Sequence, residues 1–378
     1  MTDIFISSDN IFSPIGETTA ENFEQLKKNV SGIQLHDNRR MSEQTFYAAL
    51  FDEKKENSIS QLQNCYTKFE KLLIASITDA LAHTSIQPTD DKTVLIISST
   101  KGNISLLETE AHSNELYQRI SLNSSAKIVA NHFGFIHQPV IVSNACISGM
   151  LAIITGMRLI QTGQYKHAVV AGADVISKFI LSGFQSFQAI SAAICKPFDA
   201  ARDGINLGEG ASTVVLSSDE KFSSGIKVTG GSVSNDANHI SGPSRTGEEL
   251  YLAIYKAMQM ANVKTNDIGF ISAHGTATVY NDEMEAKAIN LAGLQTVPLN
   301  SLKGYYGHTL GAAGLIEAVV SIQSLKENTV MPTAGFKNLG VTKPVNICSS
   351  LFQSPLHHCL KTASGFGGCN AAMVFSKQ

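Results

Sequence analysis

Paired cysteines are missing from this 378-residue chain. Its six cysteines, Cys65, Cys146, Cys195, Cys348, Cys359 and Cys369, are scattered with no CxxC spacing. That excludes a zinc ribbon or a disulfide framework, and no metal site is expected. Excess basic charge is missing too. With 29 Lys and Arg against 32 Asp and Glu, a net charge of −3 disfavours nucleic acid as a main partner. The start, Met1-Thr2-Asp3-Ile4-Phe5, has no basic segment leading into a long apolar one, so a secretory signal is not expected. No apolar run approaches the length of a bilayer span. These absences point to a cytoplasmic protein with free thiols, without a membrane span. A Pro- or Ser-rich linker is absent as well, so any two halves should share one interior.

What is present is the composition of a well-packed enzyme, 43% hydrophobic and 16% charged. The length exceeds what one core usually supports, which predicts two cores or two similar halves. Helix and strand patterns alternate. Leu62, Phe69, Leu72, Leu73, Ile77 and Leu81 share one face of a helix expected over about 60–83. Before it, Asp52-Glu53-Lys54-Lys55-Glu56-Asn57 reads as a solvated turn. Val94–Ile97, Ala168–Ala171 and Ser212–Leu216 read as buried strands. Further on come a helix at 248–261, a strand at 268–272, helices starting near Asp282 and after His308, and a closing strand at 371–375. The fold class is α/β.

Cys146 stands where a short apolar strand, Pro139-Val140-Ile141-Val142, turns into a small-residue helix, Gly149-Met150-Leu151-Ala152. A thiol in the first helical turn faces unpaired N–H groups and the positive dipole end, and both favour thiolate. A buried free cysteine is otherwise just a small hydrophobe. Two histidines sit among glycines at element ends. His274 lies in Ser272-Ala273-His274-Gly275-Thr276-Ala277-Thr278, after a strand. His308 lies in Lys303-Gly304-Tyr305-Tyr306-Gly307-His308-Thr309-Leu310-Gly311-Ala312-Ala313-Gly314, before a helix. Strand ends of that kind are where α/β proteins build sites. Asn206-Leu207-Gly208-Glu209-Gly210-Ala211 and Ser364-Gly365-Phe366-Gly367-Gly368-Cys369-Asn370 match no phosphate-cradling loop and read as tight turns. A glycine-flanked aromatic such as Phe366 can swing, and such a turn can offer N–H groups to an anion.

Taken in order, the Asn-Ala-Cys-x-Ser-Gly, Ala-His-Gly-Thr-x-Thr, Lys-Gly-x-x-Gly-His and Gly-Phe-Gly-Gly-x-Asn motifs resemble the β-ketoacyl-[acyl carrier protein] synthases, within them the elongating group with a Cys-His-His triad. Lys196–Gly204 with Gly208-Glu209-Gly210, and Ser234–His239, are similar to further family signatures. The resemblance implies a thiolase-type αβαβα five-layer fold of two similar halves, 1–217 bearing Cys146 and 218–378 bearing His274, Lys303 and His308. It implies that Cys146 carries the acyl chain, with the N–H groups of Cys146 and Phe366 as oxyanion hole. His274 and His308 would bind the malonyl thioester, and Lys303 would pair with Glu285 to hold them. Asp282 and Glu317 would support the site from behind or serve the fold. Thr276 and Thr278 would contact the phosphopantetheine arm, which arrives on the acyl carrier protein, so no bound cofactor is implied. Phe366 and Leu107 would gate the acyl pocket. A thiolase would have a second catalytic cysteine near the C-terminus. Cys369 stands where threonine is common and reads as filler. The alternative is a non-catalytic chain-length-factor-like subunit, which typically lacks the cysteine.

Departures from the family pattern bear on partners. Loops flanking Cys146 are short, the glycine-rich gate loop is replaced by Ser99-Thr100-Lys101-Gly102-Asn103-Ile104, and 61–69 holds one basic residue, Lys68. The acyl carrier protein is therefore expected to dock weakly there, or against a basic patch on a partner subunit. A homodimer, or a heterodimer with a second ketosynthase-like subunit, is implied. The trimmed loops resemble aryl-polyene or flexirubin-type synthases.

Overall fold

The computed structural model describes residues 2–62, 65–237 and 239–378. Its main elements form two series. The first is β1 (Phe5–Phe12), α1 (Lys68–Ala82), β2 (Thr93–Ser98), α2 (Leu122–Phe133), β3 (Val140–Val142), α3 (Ser148–Gln161), β4 (His167–Asp174), α4 (Lys178–Ser186) and β5 (Gly210–Ser217). The second is β6 (Ile226–Asn235), α5 (Glu248–Ala261), β7 (Ile268–Ser272), α6 (Val279–Leu291), β8 (Pro298–Asn300), α7 (Ala313–Glu327), β9 (His358–Gly365) and β10 (Cys369–Lys377).

Strand order is β1-β5-β4-β2-β3 in the first series and β6-β10-β9-β7-β8 in the second. Each strand thus has a counterpart at the same place in the other order. The pairing sense agrees as well. In both series the first two ladders are antiparallel and the next two parallel. The two sheets join at one edge, where Phe5 pairs with Lys227. Helices α3 and α7 pack against each other between the sheets, α1 covers the first sheet and α5 the second. That is the five-layer thiolase-type arrangement.

The central pair explains the placement of everything else. Leu315, Ile316, Val319, Val320 and Ile322 of α7 are all buried, as expected for a helix apolar all round. The two helices meet backbone to backbone through small residues. A Cβ on Gly149 would lie 2.7 Å from the Leu315 amide nitrogen, and one on Gly314 would lie 3.0 Å from that of Met150. These are equivalent positions in the two series.

The helix expected over about 60–83 begins later, as α1 over Lys68–Ala82, and a separate short helix precedes it. Residues Glu53–Ser60 are helical rather than a turn, because the Asp52 carboxylate accepts the Lys55 N–H at 2.8 Å and caps them. Helix α1 begins only at Lys68, where Thr67 and Glu70 form a capping box. Leu62, between them, still packs on the α1 core, so the apolar spacing ran across a chain break in helicity. Residues 63 and 64 lie outside the described residues.

The Gly149 contact makes a direct test. Gly149→Ala should destabilise the fold by about 1–3 kcal/mol, the usual cost of overpacking against backbone that cannot move aside. Urea denaturation measures it, and an unchanged midpoint would contradict the close approach of α3 and α7.

Candidate active site

Between β3 and α3 the chain makes a sharp elbow at Ala145, whose φ of 43° is left-handed. Such a conformation costs a non-glycine residue on the order of 1–3 kcal/mol and persists where neighbours hold it. Ser148 holds it, its Oγ accepting the Asn144 N–H at 2.7 Å and donating to the Ala145 carbonyl at 2.6 Å. Cys146 therefore lies just ahead of α3, not within its first turn. Its thiol is buried, and that burial pushes it up to about 12, with Cys369 adding to the rise and Lys303 and the Phe366 N–H opposing it. The expected preference for thiolate is outweighed by desolvation, so the resting sulfur carries its proton.

His274 leaves the end of β7, and His308 lies on the approach to α7. The Cys146 sulfur and one ring nitrogen from each histidine lie within 4.8 Å of one another. The rings meet edge to face with centroids 5.3 Å apart. His308 Nδ1 accepts the Leu310 N–H at 3.2 Å, which leaves the proton of the neutral ring on Nε2. Its backbone is clamped by the 206–211 segment, His308 N donating to Asn206 O at 2.7 Å and Gly208 N to His308 O at 3.1 Å. A Cβ on Gly208 would fall 1.9 Å from the Tyr306 carbonyl, so that glycine is the condition for this clamp. Burial holds both imidazoles well below the ordinary histidine range, and Lys303 adds to the effect. Both are neutral at physiological pH.

The expected pairing of Lys303 with Glu285 is not made. Lys303 Nζ pairs instead with Glu317 of α7 and donates to the His274 carbonyl at 3.1 Å. Glu285 of α6 holds the backbone instead, accepting the N–H groups of His274 and Gly275, both at 2.8 Å, and the Thr362 hydroxyl at 2.6 Å. Motif matching could not decide between two carboxylates on different helices. A second buried lysine was missed altogether. Lys361 Nζ lies 2.8 Å from Glu317 and 3.2 Å from the Ser272 carbonyl, so one carboxylate serves two buried ammonium groups. Its signal was a lysine inside the otherwise apolar run Cys359-Leu360-Lys361-Thr362-Ala363.

The thiol and both histidines line a cavity of about 460 Å³ together with Thr276, Thr278 and Phe366. The two threonine hydroxyls are bonded to each other at 2.8 Å. Asp282 accepts the Thr276 and Phe198 N–H groups at 2.8 and 2.7 Å, and burial pushes its carboxyl up to about 7. Phe366 stacks on Phe184 at 5.9 Å and meets Phe187 edge-on at 5.7 Å, two aromatic neighbours that sequence reading did not find. Leu107 does not line this cavity. Its turn is drawn to α4, where Glu108 accepts the N–H groups of Lys178 and Phe179 at 3.2 and 2.8 Å. A Cβ on Gly365 would sit 2.9 Å from the Cys146 nitrogen, so that glycine lets the 364–369 turn approach the Cys146 backbone. Cys146, His274 and His308 are also the group whose spacing could hold a metal ion among the described residues. An ion held there would take up the Cys146 thiol.

Residues 1–221 match the family described as β-ketoacyl synthase, N-terminal domain, and residues 226–337 its C-terminal domain. The chain belongs to the β-ketoacyl synthase family. It is a condensing enzyme of the acyltransferase class. It is 29% identical over 413 aligned positions, covering 99% of both chains, to 3-oxoacyl-[acyl-carrier-protein] synthase 2 of Vibrio cholerae. Among solved structures it is similar to a ketosynthase in complex with its chain length factor from Xenorhabdus doucetiae, at TM-score 0.85 and 25% identity, covering 100% of this chain and 98% of that one. The ishigamide ketosynthase/chain length factor shares the fold, at TM-score 0.90 and 23% identity over 100% of this chain and 99% of that one.

Proposed function

We propose that this β-ketoacyl synthase elongates an acyl chain by decarboxylative Claisen condensation, with Cys146 as acyl carrier and His274 and His308 as hydrogen-bond donors to a malonyl thioester. One observation carries the reading: the Cys146 sulfur and a ring nitrogen from each of His274 and His308 converge within 4.8 Å in one cavity. In the first half-reaction the Cys146 sulfur attacks the thioester carbonyl. The N–H groups of Cys146 and Phe366 hold the oxyanion, each worth about 2.7–4 kcal/mol in such a hole. The thioester C–S bond then breaks, and the departing pantetheine sulfur takes up the thiol proton. In the second half-reaction the malonyl group loses carbon dioxide, and the enolate oxygen accepts N–H bonds from the two rings. Its carbon attacks the acyl group on Cys146, the 3-oxoacyl product leaves on its carrier, and the sulfur regains a proton from solvent.

The family resemblance and the places of the side chains around the cavity support the remaining roles. Thr276 and Thr278 bind the phosphopantetheine arm, which arrives on an acyl carrier protein and is the one prosthetic group the reaction needs. Phe366 gates the acyl channel against Phe184 and Phe187. Lys303, Glu317 and Glu285 hold the His274 loop, and Asp282 fixes the Thr276 amide. A chain-length-factor role is disfavoured because the thiol and both histidines are kept. A second subunit, identical or ketosynthase-like, fits the outer edge of β3, which no strand covers among the described residues. The X. doucetiae pair is an example of the second kind. With only Lys68 basic between residues 61 and 69, that subunit is the better candidate for the carrier's docking patch. We place the reaction in the cytoplasm, in fatty-acid, polyketide or aryl-polyene-type elongation.

Intact-mass analysis after incubation with acyl-carrier protein tests the first half. The chain should gain one acyl group, Cys146→Ala none, and malonyl-carrier protein should discharge the adduct as a longer 3-oxoacyl product. No adduct with any acyl donor, with or without a co-expressed partner, would favour the scaffold role instead. The pH profile tests the second half. Both rings titrate well below the ordinary histidine value of 6.5, so discharge should persist through pH 6. An acid limb centred at or above 6.5 would contradict two neutral donors.

A further inference from the structure

We propose that Asp174 is a positioning residue that sets the tautomer of His308. The inference rests on the donor role of His308 given above and adds what enforces it. Asp174 ends β4, is fully buried and makes no ion pair among the described residues. Its carboxylate is satisfied by uncharged donors from two separate turns. From one come the Ser99 hydroxyl at 2.6 Å, the Thr100 N–H and hydroxyl, both at 3.1 Å, and the Lys101 N–H at 3.3 Å. From the other comes the Gly311 N–H at 2.6 Å.

That last bond matters for the histidine. Leu310, between His308 and Gly311, has φ of 50°, a conformation leucine adopts only where something holds it. In that bend the Leu310 N–H reaches His308 Nδ1 at 3.2 Å. Asp174 anchors the residue immediately after the bend, and the fit leaves no slack. A Cβ on Gly311 would lie 2.9 Å from the Asp174 Oδ2 and 2.9 Å from the Ser99 Cα. Without the carboxylate, Leu310 can relax to negative φ and its N–H turns away from the ring. The proton is then free to move to Nδ1, and Nε2 presents a lone pair where the enolate needs a donor. The first turn anchored on Asp174 is Ser99-Thr100-Lys101, the segment that departs from the family's glycine-rich pattern. The same carboxylate therefore ties that departure to the geometry of His308.

The experiment is Asp174→Asn in the full chain, because the amide N–H₂ turns a donor toward groups that are themselves donors. Two readouts are taken together: the ring ¹⁵N resonances of His308, identified by their loss in His308→Ala, and the rates of the two half-reactions. The wild type should show Nε2–H. The variant should show a shift toward Nδ1–H, with discharge of acyl-Cys146 slowed by about 10- to 100-fold, on the scale of the loss when a metal-ligating imidazole loses its orienting partner. Acylation of Cys146 should be nearly unchanged. If Asp174→Asn does not fold, Ser99→Ala, which keeps the carboxylate and removes one donor, should move both readouts the same way by less. An unaltered His308 spectrum, or equal loss of both half-reactions, would overturn the proposal. A shifted tautomer with full discharge would uphold the positioning by Asp174 and overturn the donor role of His308.

Discussion

The contact between α3 and α7 is the constraint on which the site depends. Gly149 and Gly314 let two helix starts approach to backbone distance, and each start is preceded by a reactive side chain, Cys146 on one and His308 on the other. The duplicated strand order then places the end of β7, with His274, at the same level. A site contributed by both halves follows from the symmetry of the core, and neither half alone holds all three groups.

Electrostatics decide what the three groups can do. The cavity wall presents the thiol and imidazoles in uncharged form, because desolvation dominates each of them. Behind His274, Glu317 is shared by Lys303 and Lys361. Buried ions of this kind bring little net stability, yet losing one partner of a buried pair typically costs about 3–5 kcal/mol. Their use here is to hold the His274 backbone and to keep positive charge near the rings, which disfavours imidazolium. The arrangement suits donation to a developing enolate.

Much of this was legible in the sequence. The elbow at Cys146 showed as an apolar run switching to small residues. The histidines showed as glycine-flanked strand ends, and the five-layer fold came through the ordered motifs. What could not be read has specific physical causes. The partner of Lys303 depended on which of two helices, α6 or α7, presents its carboxylate inward. The break before α1 was set by a capping box at Thr67 and Glu70 that an apolar count does not register. The left-handed bends at Ala145, held locally by the Ser148 hydroxyl, and at Leu310 leave no mark on composition. Leu107 lies outside the lining of the Cys146 cavity, and the neighbouring Glu108 caps α4.

The central claim is a division of labour within one cavity: sulfur for acyl transfer, imidazoles for decarboxylation. Single-turnover assays on His274→Ala and His308→Ala separate the two most directly, with acyl-Cys146 followed by intact mass after malonyl-carrier protein is added. The account predicts that both variants accumulate a full equivalent of acyl-enzyme and fail to discharge it. Variants that cannot be acylated, or that discharge at the wild-type rate, would contradict it.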